Sequence, residues 1–389
     1  MNLSSEYKKY LIIIATIVFA IRCFLSYTLE IHFDDAVLFW LSQNKSLSYY
    51  EFPPLPAYLT SLTAKKMSEI SVRILSLLFW ILYVIVYFNF VKRIVGEKIA
   101  FHSTLLFIFT PIIFFVHLFA GHDPFYFFFL LLTTKFVWDA HENPNIKNYV
   151  FLGLSLGLGI LSKYPAVLAL PSLLLFCLVY KPARKVLSKK LYISLFISVI
   201  IFSPVLIWNF RNEFVSFRFQ LSRGYIGYGY PPDVWPGGLQ SFLRYLKGLF
   251  IKLPPAPPIT LTPMIFIIYI LGIFGFRGSG KDKFFWSFAF FPSFFFFIPT
   301  FFSTVSLHWI SMSLPYSFVR GLRFFEKYSK RLYLISIISS LSGAILLAVK
   351  YLDYLTIKTG KLTDFVQTVE RCSEGYEADY IFSFERDLG

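Results

Sequence analysis

Two adjacent carboxylates, Asp34-Asp35, stand a few residues beyond the first long apolar run, and Glu51 follows in the same polar segment as Glu51-Phe52-Pro53-Pro54. Carboxylates so placed can take a proton from an attacking hydroxyl or help hold a divalent cation. The chain has 22 acidic residues against 37 basic ones, and most of its other acids lie in basic loops or in the C-terminal tail. Three of these scarce acids gathered in one segment therefore mark a reaction centre at a membrane surface. Cations suited to an anionic leaving group come later: Lys163 between two apolar stretches in LSKYPAVL, and Arg218 and Arg223 in SFRFQLSRG. A charge at the end of an apolar span is costly unless it snorkels to the interface or finds a partner. A guanidinium binds phosphate through paired hydrogen bonds. Asp123, beside His122 in GHDPF, is either a working acid or a helix cap followed by Pro at the first helical position. Asp34 has the same two readings, general base or cap of the segment DAVLFWLSQ.

The elements that must position these groups are membrane spans. The chain has 389 residues, 56% of them hydrophobic, and a mean hydropathy of +0.62. Repeated apolar runs of about 20 residues exclude an ordinary soluble domain. The net charge of +15 does not indicate nucleic acid, because the Lys and Arg residues cluster in short loops between apolar runs, the pattern that orients a membrane protein. Cys23, Cys177 and Cys372 show no pairing or metal-ligand spacing. The first run, Tyr10 to Tyr27, is too long for a signal-peptide core and lacks a small-residue cleavage site, so it reads as a retained helix.

Apolar runs fall near 10–29, 71–91, 99–119, 122–138, 149–162, 165–180, 191–209, 259–276, 284–302, 304–319 and 332–350, which predicts an all-α membrane protein with roughly eleven spans. Pro165 breaks the helical ladder after Lys163-Tyr164, giving two short helices or one kinked helix. With a cytoplasmic N-terminus, the clusters Lys8-Lys9, Lys92-Arg93, Lys181 to Lys190, Arg277 to Lys283 and Arg320 to Arg331 all fall inside only if two helices form there. Residues 1–350 then form one transmembrane domain with long outer segments at about 30–70 and 210–258, and 351–389 form a small outer tail. In the first outer segment, Pro53-Pro54-Leu55-Pro56 followed by AYLTSLTAKKM predicts a Pro-started surface helix. The second is rich in Gly, Tyr and Pro; its Tyr225, Tyr228 and Tyr230 could stack on sugars or sit in an interfacial belt.

Six segments in order, FDDAVLFWLSQ (33–43), YYEFPPLPAYL (49–59), GHDPFYFFFLL (121–131), GLSLGLGILSKYPAVLALP (153–171), PVLIWNFRNEFVSFRFQLSRG (204–224) and HWISMSLP (308–315), resemble the GT-C glycosyltransferases that use polyprenyl-phosphate sugars. The resemblance is nearest to glycosyltransferase family 83, the aminoarabinose and galacturonic acid transferases of lipid A and lipopolysaccharide core, with the protein O-mannosyltransferases more distant. It implies a GT-C fold with juxtamembrane helices on the outer face. It also implies that Asp34 of the Asp34-Asp35 pair is the base and that Glu51 orients it or binds a divalent metal. Asp123 matches the second-loop acid. Lys163, next to Tyr164, would meet the donor's lipid phosphate, as would Arg218 or Arg223. Gln220 is a candidate sugar contact, and His308 could contact the donor or pair with Glu51 on a metal. Trp309 reads as an interfacial anchor. Two departures stand out: Phe52 occupies the place of a basic residue in the aminoarabinose transferases, and residues 211–258 contain no His to match their metal-binding one.

The expected activity is transfer of a sugar from a polyprenyl-phosphate donor to a glycolipid such as lipid A or lipopolysaccharide core, with inversion. It would proceed at the periplasmic face of a bacterial inner membrane, with membrane lipids as surroundings and no nucleic acid involved. The rivals are a protein O-mannosyltransferase and a multi-span lipid or sugar transporter or flippase. Transporters place ionisable groups near mid-bilayer, whereas the acids here gather at span ends.

Overall fold

A chain whose backbone must be satisfied inside a bilayer is restricted to helices or closed barrels, and alternation of period two is missing from these apolar runs. The computed structural model describes residues 3–221, 263–275, 278–301 and 307–328, and every regular element among them is helical. The helices are α1 (Leu3–Thr28), α2 (Phe33–Gln43), α3 (Leu55–Thr60), α4 (Glu69–Val95), α5 (Glu97–Phe109), α6 (Pro111–Val116) and α7 (Asp123–Glu142). They continue as α8 (Ile146–Ser162), α9 (Ala169–Val179), α10 (Leu191–Arg211), α11 (Val215–Leu221), α12 (Pro263–Phe274), α13 (Gly280–Phe297) and α14 (Leu314–Tyr328). Among the described residues, α1, α4 and α10 are long and apolar enough to cross a membrane by length and composition. The protein is a multi-pass membrane protein.

Proline decides several boundaries. Lys163 is extended (φ −160°, ψ 130°), a 3-10 turn runs over Tyr164–Leu168, and α9 follows, so the Pro165 region gives two helices rather than one kinked rod. The run at 99–119 is likewise divided. Thr110 is extended and Pro111 starts α6, because residues before proline are pushed out of the helical region. The run at 304–319 is replaced by a 3-10 turn, Leu307–Ser313, leading into α14, which continues to Tyr328. The surface helix expected after Pro53 is only the six-residue α3, closed by turns before Ser68 caps α4. The run at 332–350 and the tail 351–389 lie outside the described residues.

The α8–α10 seam depends on small residues. A Cβ on Gly153 would lie 2.6 Å from the Ser194 carbonyl oxygen, and one on Gly157 would lie 2.8 Å from Ile201 Cβ. Close backbone approach of this kind is how helices associate where no hydrophobic drive separates them from lipid. Ser194 adds a hydroxyl donated to the Tyr149 carbonyl at 2.7 Å. The opposite face of α10 carries exposed Tyr192, Phe196, Ile200 and Phe210.

A buried ion pair ties one end of the first helices together. Arg73, the fifth residue of α4, and Asp35 of α2 are both fully buried, with Nη2 at 2.5 Å and Nε at 3.0 Å from Asp35 Oδ2. The remaining guanidinium N–H groups donate to the carbonyls of Ser26, Leu29 and Glu30. Asp35 also accepts from the backbone N–H groups of His32 (2.8 Å) and Ala120 (2.5 Å). One carboxylate and one guanidinium thereby fasten α1, α2, α4 and the segment before α7.

Because a buried charge left without its partner is far more costly than the pair, Asp35→Ala should lose about 3–5 kcal/mol of stability. The double change Asp35→Leu/Arg73→Met should be distinctly less destabilised than Asp35→Ala. Thermal or denaturant unfolding of the detergent-solubilised protein checks this; equal losses would mean that the pair is not the tie.

Candidate functional site

The first carboxylate pair divides into two roles by geometry. His32 (φ −84°, ψ 159°) is the N-cap of α2: its Nδ1 accepts the Asp34 N–H at 3.2 Å, and Asp35 at the third helical position reaches back to the His32 N–H. This reciprocal arrangement satisfies two donors that a helix start leaves open. The cap is therefore His32, not Asp34. Asp34 sits at the second helical position with 48% of its side chain exposed and an oxygen 3.5 Å from His32 Nδ1. Since that nitrogen accepts a hydrogen bond, it carries the lone pair, and the approach of Asp34 is a close contact rather than an ion pair. Asp35, by contrast, is walled in. Burial pushes its carboxyl up from the ordinary range, against the opposing pull of Arg73 and the His32 and Ala120 N–H groups.

Glu51 is partly buried in a bend, held by contacts to the chain that follows α10. The Gln220 amide donates to the Glu51 carbonyl at 2.7 Å, the Ser216 hydroxyl donates to the Tyr49 carbonyl at 2.9 Å, and the Tyr50 and Phe219 rings lie 4.6 Å apart. The reversal that brings α11 back over this bend runs through Glu213 and Phe214, both at positive φ (53° and 58°). Such conformations are uncommon for side-chain-bearing residues. Phe52, where a basic residue was expected from the resemblance, stacks on His122 at 4.0 Å. A cation there would forfeit that ring contact.

Next along the chain, Asp123 is the first residue of α7, after His122, so it does not occupy the capping position that the sequence allowed. Its Oδ1 lies 2.8 Å from Lys163 Nζ, and both side chains are largely enclosed, at 17% and 18% exposure. Lys163 therefore does not simply snorkel outward; it is half of an ion pair at the α8–α9 break, 5.9 Å from the centre of the Tyr126 ring. Tyr164 meets Phe217 of α11 edge to face at 5.8 Å.

These contacts join into one corner. Asp35 touches Ala120, Phe52 touches His122, Asp123 holds Lys163, and α11 bridges Glu51 and Tyr164. Asp34, Glu51, Asp123, Lys163, Tyr164 and Gln220 are thus brought to the same end of the bundle. Arg218 is at the rim instead, with 71% of its side chain exposed and Glu213 3.9 Å away. Arg223 and Tyr225, Tyr228 and Tyr230 lie outside the described residues, as does the side chain of His308, whose backbone is in the 3-10 turn Leu307–Ser313. Among the described residues, no three His, Cys, Asp or Glu side chains are grouped to hold a metal ion.

Sequence reasoning missed Arg73 and His32. Arg73 had a readable signal: in EISVRIL it is a lone cation at the start of an apolar run, so the reasoning applied to Lys163 demanded a partner for it as well.

Comparison with known proteins bears on the fold and on part of the sequence. Residues 51–208 match the family described as dolichyl-phosphate-mannose-protein mannosyltransferase. The lipid A galacturonosyltransferase RgtD of Rhizobium johnstonii is 24% identical over 192 residues, covering 48% of this chain and 40% of that protein. The structure of ArnT from Cupriavidus metallidurans bound to undecaprenyl phosphate superposes with a TM-score of 0.59 at 16% identity, over 86% of this chain and 62% of that one. The apo oligosaccharyltransferase of Archaeoglobus fulgidus gives a TM-score of 0.59 at 13% identity, over 98% and 60%. The chain thus spans less than two thirds of each of these relatives. The chain has an all-helical GT-C fold similar to that of ArnT, and the family match is confined to residues 51–208.

Proposed function

We propose that the protein is a GT-C glycosyltransferase that moves a sugar from a polyprenyl-phosphate donor to a hydroxyl of a glycolipid. The observation that carries this reading is the single corner holding a half-exposed carboxylate, Asp34, and an enclosed ammonium, Lys163. In the reaction, the acceptor oxygen attacks the anomeric carbon and its proton passes to Asp34. The bond from that carbon to the phosphate oxygen breaks, its electron pair leaves on the phosphate, and displacement from the opposite side inverts the centre. Lys163 has three N–H donors, so it can keep Asp123 and still neutralise the departing phosphate. Asp35 does not touch the substrates; it positions α2, and hence Asp34, through Arg73. Gln220 fixes the Glu51 bend and brings α11 beside the sugar. Arg218 and Arg223 would meet the phosphate at the mouth. No step is assigned to a metal ion, since among the described residues no three His, Cys, Asp or Glu side chains are grouped to hold one.

The acceptor class, lipid A or lipopolysaccharide core, is supported by the relative named for lipid A galacturonosyl transfer, and the donor class by the undecaprenyl phosphate bound to ArnT. In this reading the site faces the periplasm from a bacterial inner membrane, an orientation supported by the distribution of Lys and Arg among the loops. The match of residues 51–208 to a protein mannosyltransferase family favours one second reading, in which the acceptor hydroxyl is on a protein.

Purified protein in lipid vesicles, given a polyprenyl-phosphate sugar labelled in the sugar, should transfer label to extracted glycolipid rather than to protein. Label in protein would select the second reading, and movement of intact donor across the vesicle without transfer would select a flippase. Asp34→Asn should slow transfer by about 10²–10⁴-fold while donor affinity stays nearly unchanged; near-normal transfer would remove Asp34 as the base. Lys163→Met should weaken donor binding about tenfold or more as well as slow transfer. Unaltered donor affinity in that variant would place the phosphate elsewhere.

A further inference from the structure

Four side chains that ordinarily carry full charge are buried among the described residues: Arg22, Asp35, Arg73 and Arg320. Three of them are accounted for. Arg73 pairs with Asp35, and Arg320 donates to the carbonyls of Gly272 and Gly275. Arg22 is different. It lies on α1 about 9 Å along the helix axis from Thr28 and has no exposure, and its Nε, Nη1 and Nη2 have no hydrogen-bond partner. Its guanidinium lies between two rings, with Cζ 4.6 Å from the centre of Trp80 and 4.1 Å from that of Phe114.

The surroundings are polar and equally unsatisfied. Ser26 lies one turn further on the same face of α1, and Ser76 lies one turn before Trp80 on α4. The hydroxyls of both and the Trp80 indole N–H are buried without partners. His117 Nε2 is also buried and unpaired, while its Nδ1 lies 2.9 Å from the Ile113 carbonyl. With the proton on Nδ1, His117 is neutral and can accept one N–H, but it cannot balance a charge. Both rings lie close to the guanidinium carbon, and its three nitrogens remain unpartnered for a ligand.

We propose that Arg22 is the centre of a buried site for a monovalent inorganic anion of halide size, chloride being the abundant one. The charge sets the valence: one unpaired guanidinium is balanced by one negative charge, and a doubly charged phosphate would leave an excess. The donor set matches too, since N–H groups and serine hydroxyls point positive ends at an anion. A full cation in a low-dielectric interior demands such a partner, because neutral water satisfies its hydrogen bonds without cancelling its charge. The bound anion would hold α1 against α4 and α6 just beneath the Arg73–Asp35 tie. This inference is independent of the transfer reaction.

The test is thermal unfolding of the purified full-length protein in detergent, titrated with potassium chloride against potassium gluconate at matched ionic strength. Chloride should raise the midpoint saturably, by roughly 3–5 °C, with bromide acting similarly. Arg22→Met should abolish the difference between the two salts, and Ser76→Ala should raise the half-saturating chloride concentration. Identical midpoints in chloride and gluconate, or an undiminished chloride response in Arg22→Met, would overturn the site and leave only interior water. Should Arg22→Met fail to fold, crystals of the unaltered protein grown in bromide decide: anomalous density at the guanidinium edge supports the site, and its absence overturns it.

Discussion

The Asp35–Arg73 ion pair is the constraint on which the site's end of the bundle depends. A buried pair of this sort contributes little net stability compared with an apolar packing of the same volume, but it fixes geometry because every lone pair and N–H must be met at once. Here one guanidinium reaches three carbonyls around the end of α1, and one carboxylate reaches two backbone N–H groups from different segments. A shift of α2 along its axis would break several of these bonds together. The neighbouring residue, Asp34, inherits that fixity while keeping about half its surface open. Adjacent identical side chains thus do opposite jobs, one holding and one exposed, because successive helix positions point about 100° apart.

The second ion pair has a different character. Lys163 and Asp123 are enclosed but not sealed, and each comes from a helix terminus created by proline. Proline is what places them: Pro124 opens α7 directly after Asp123, and Pro165 enforces the break that leaves Lys163 extended. A continuous helix through 146–179 would have turned the lysine onto a helical face instead of presenting it from a break. The Phe52–His122 stack and the Gln220 hold on the Glu51 bend close the same corner from two further sides.

Much of this was legible in the sequence, and the residues show why. The all-helical membrane class follows from apolar runs of bilayer length, and the break at Pro165 from proline chemistry together with the charge of the loops. The grouping of Asp34, Glu51, Asp123 and Lys163 was readable only through the order of six motifs, because no local pattern reveals contacts between residues forty or more positions apart. The division of labour between Asp34 and Asp35 was not legible, since it depends on which carboxylate meets Arg73 from α4. Asp34 could be read as a base or as the cap of α2, and the cap proves to be His32, which serves through a ring nitrogen. The length of the first surface helix was overread from an apolar-polar alternation that proves to cover turns.

The way α1 ends has a consequence for assembly. Its last turn contains no basic residue and no glycine follows it, so the carbonyls of Ser26, Leu29 and Glu30 around that end have no capping group of the helix's own. They are answered by Arg73, which the ribosome adds more than forty residues later. Until α4 has entered the bilayer and docked, the linker to α2 has no fixed course and Asp34 has no fixed address. Biogenesis of this corner is therefore ordered: the opening segment is synthesised first but takes its final shape only after α4 has arrived.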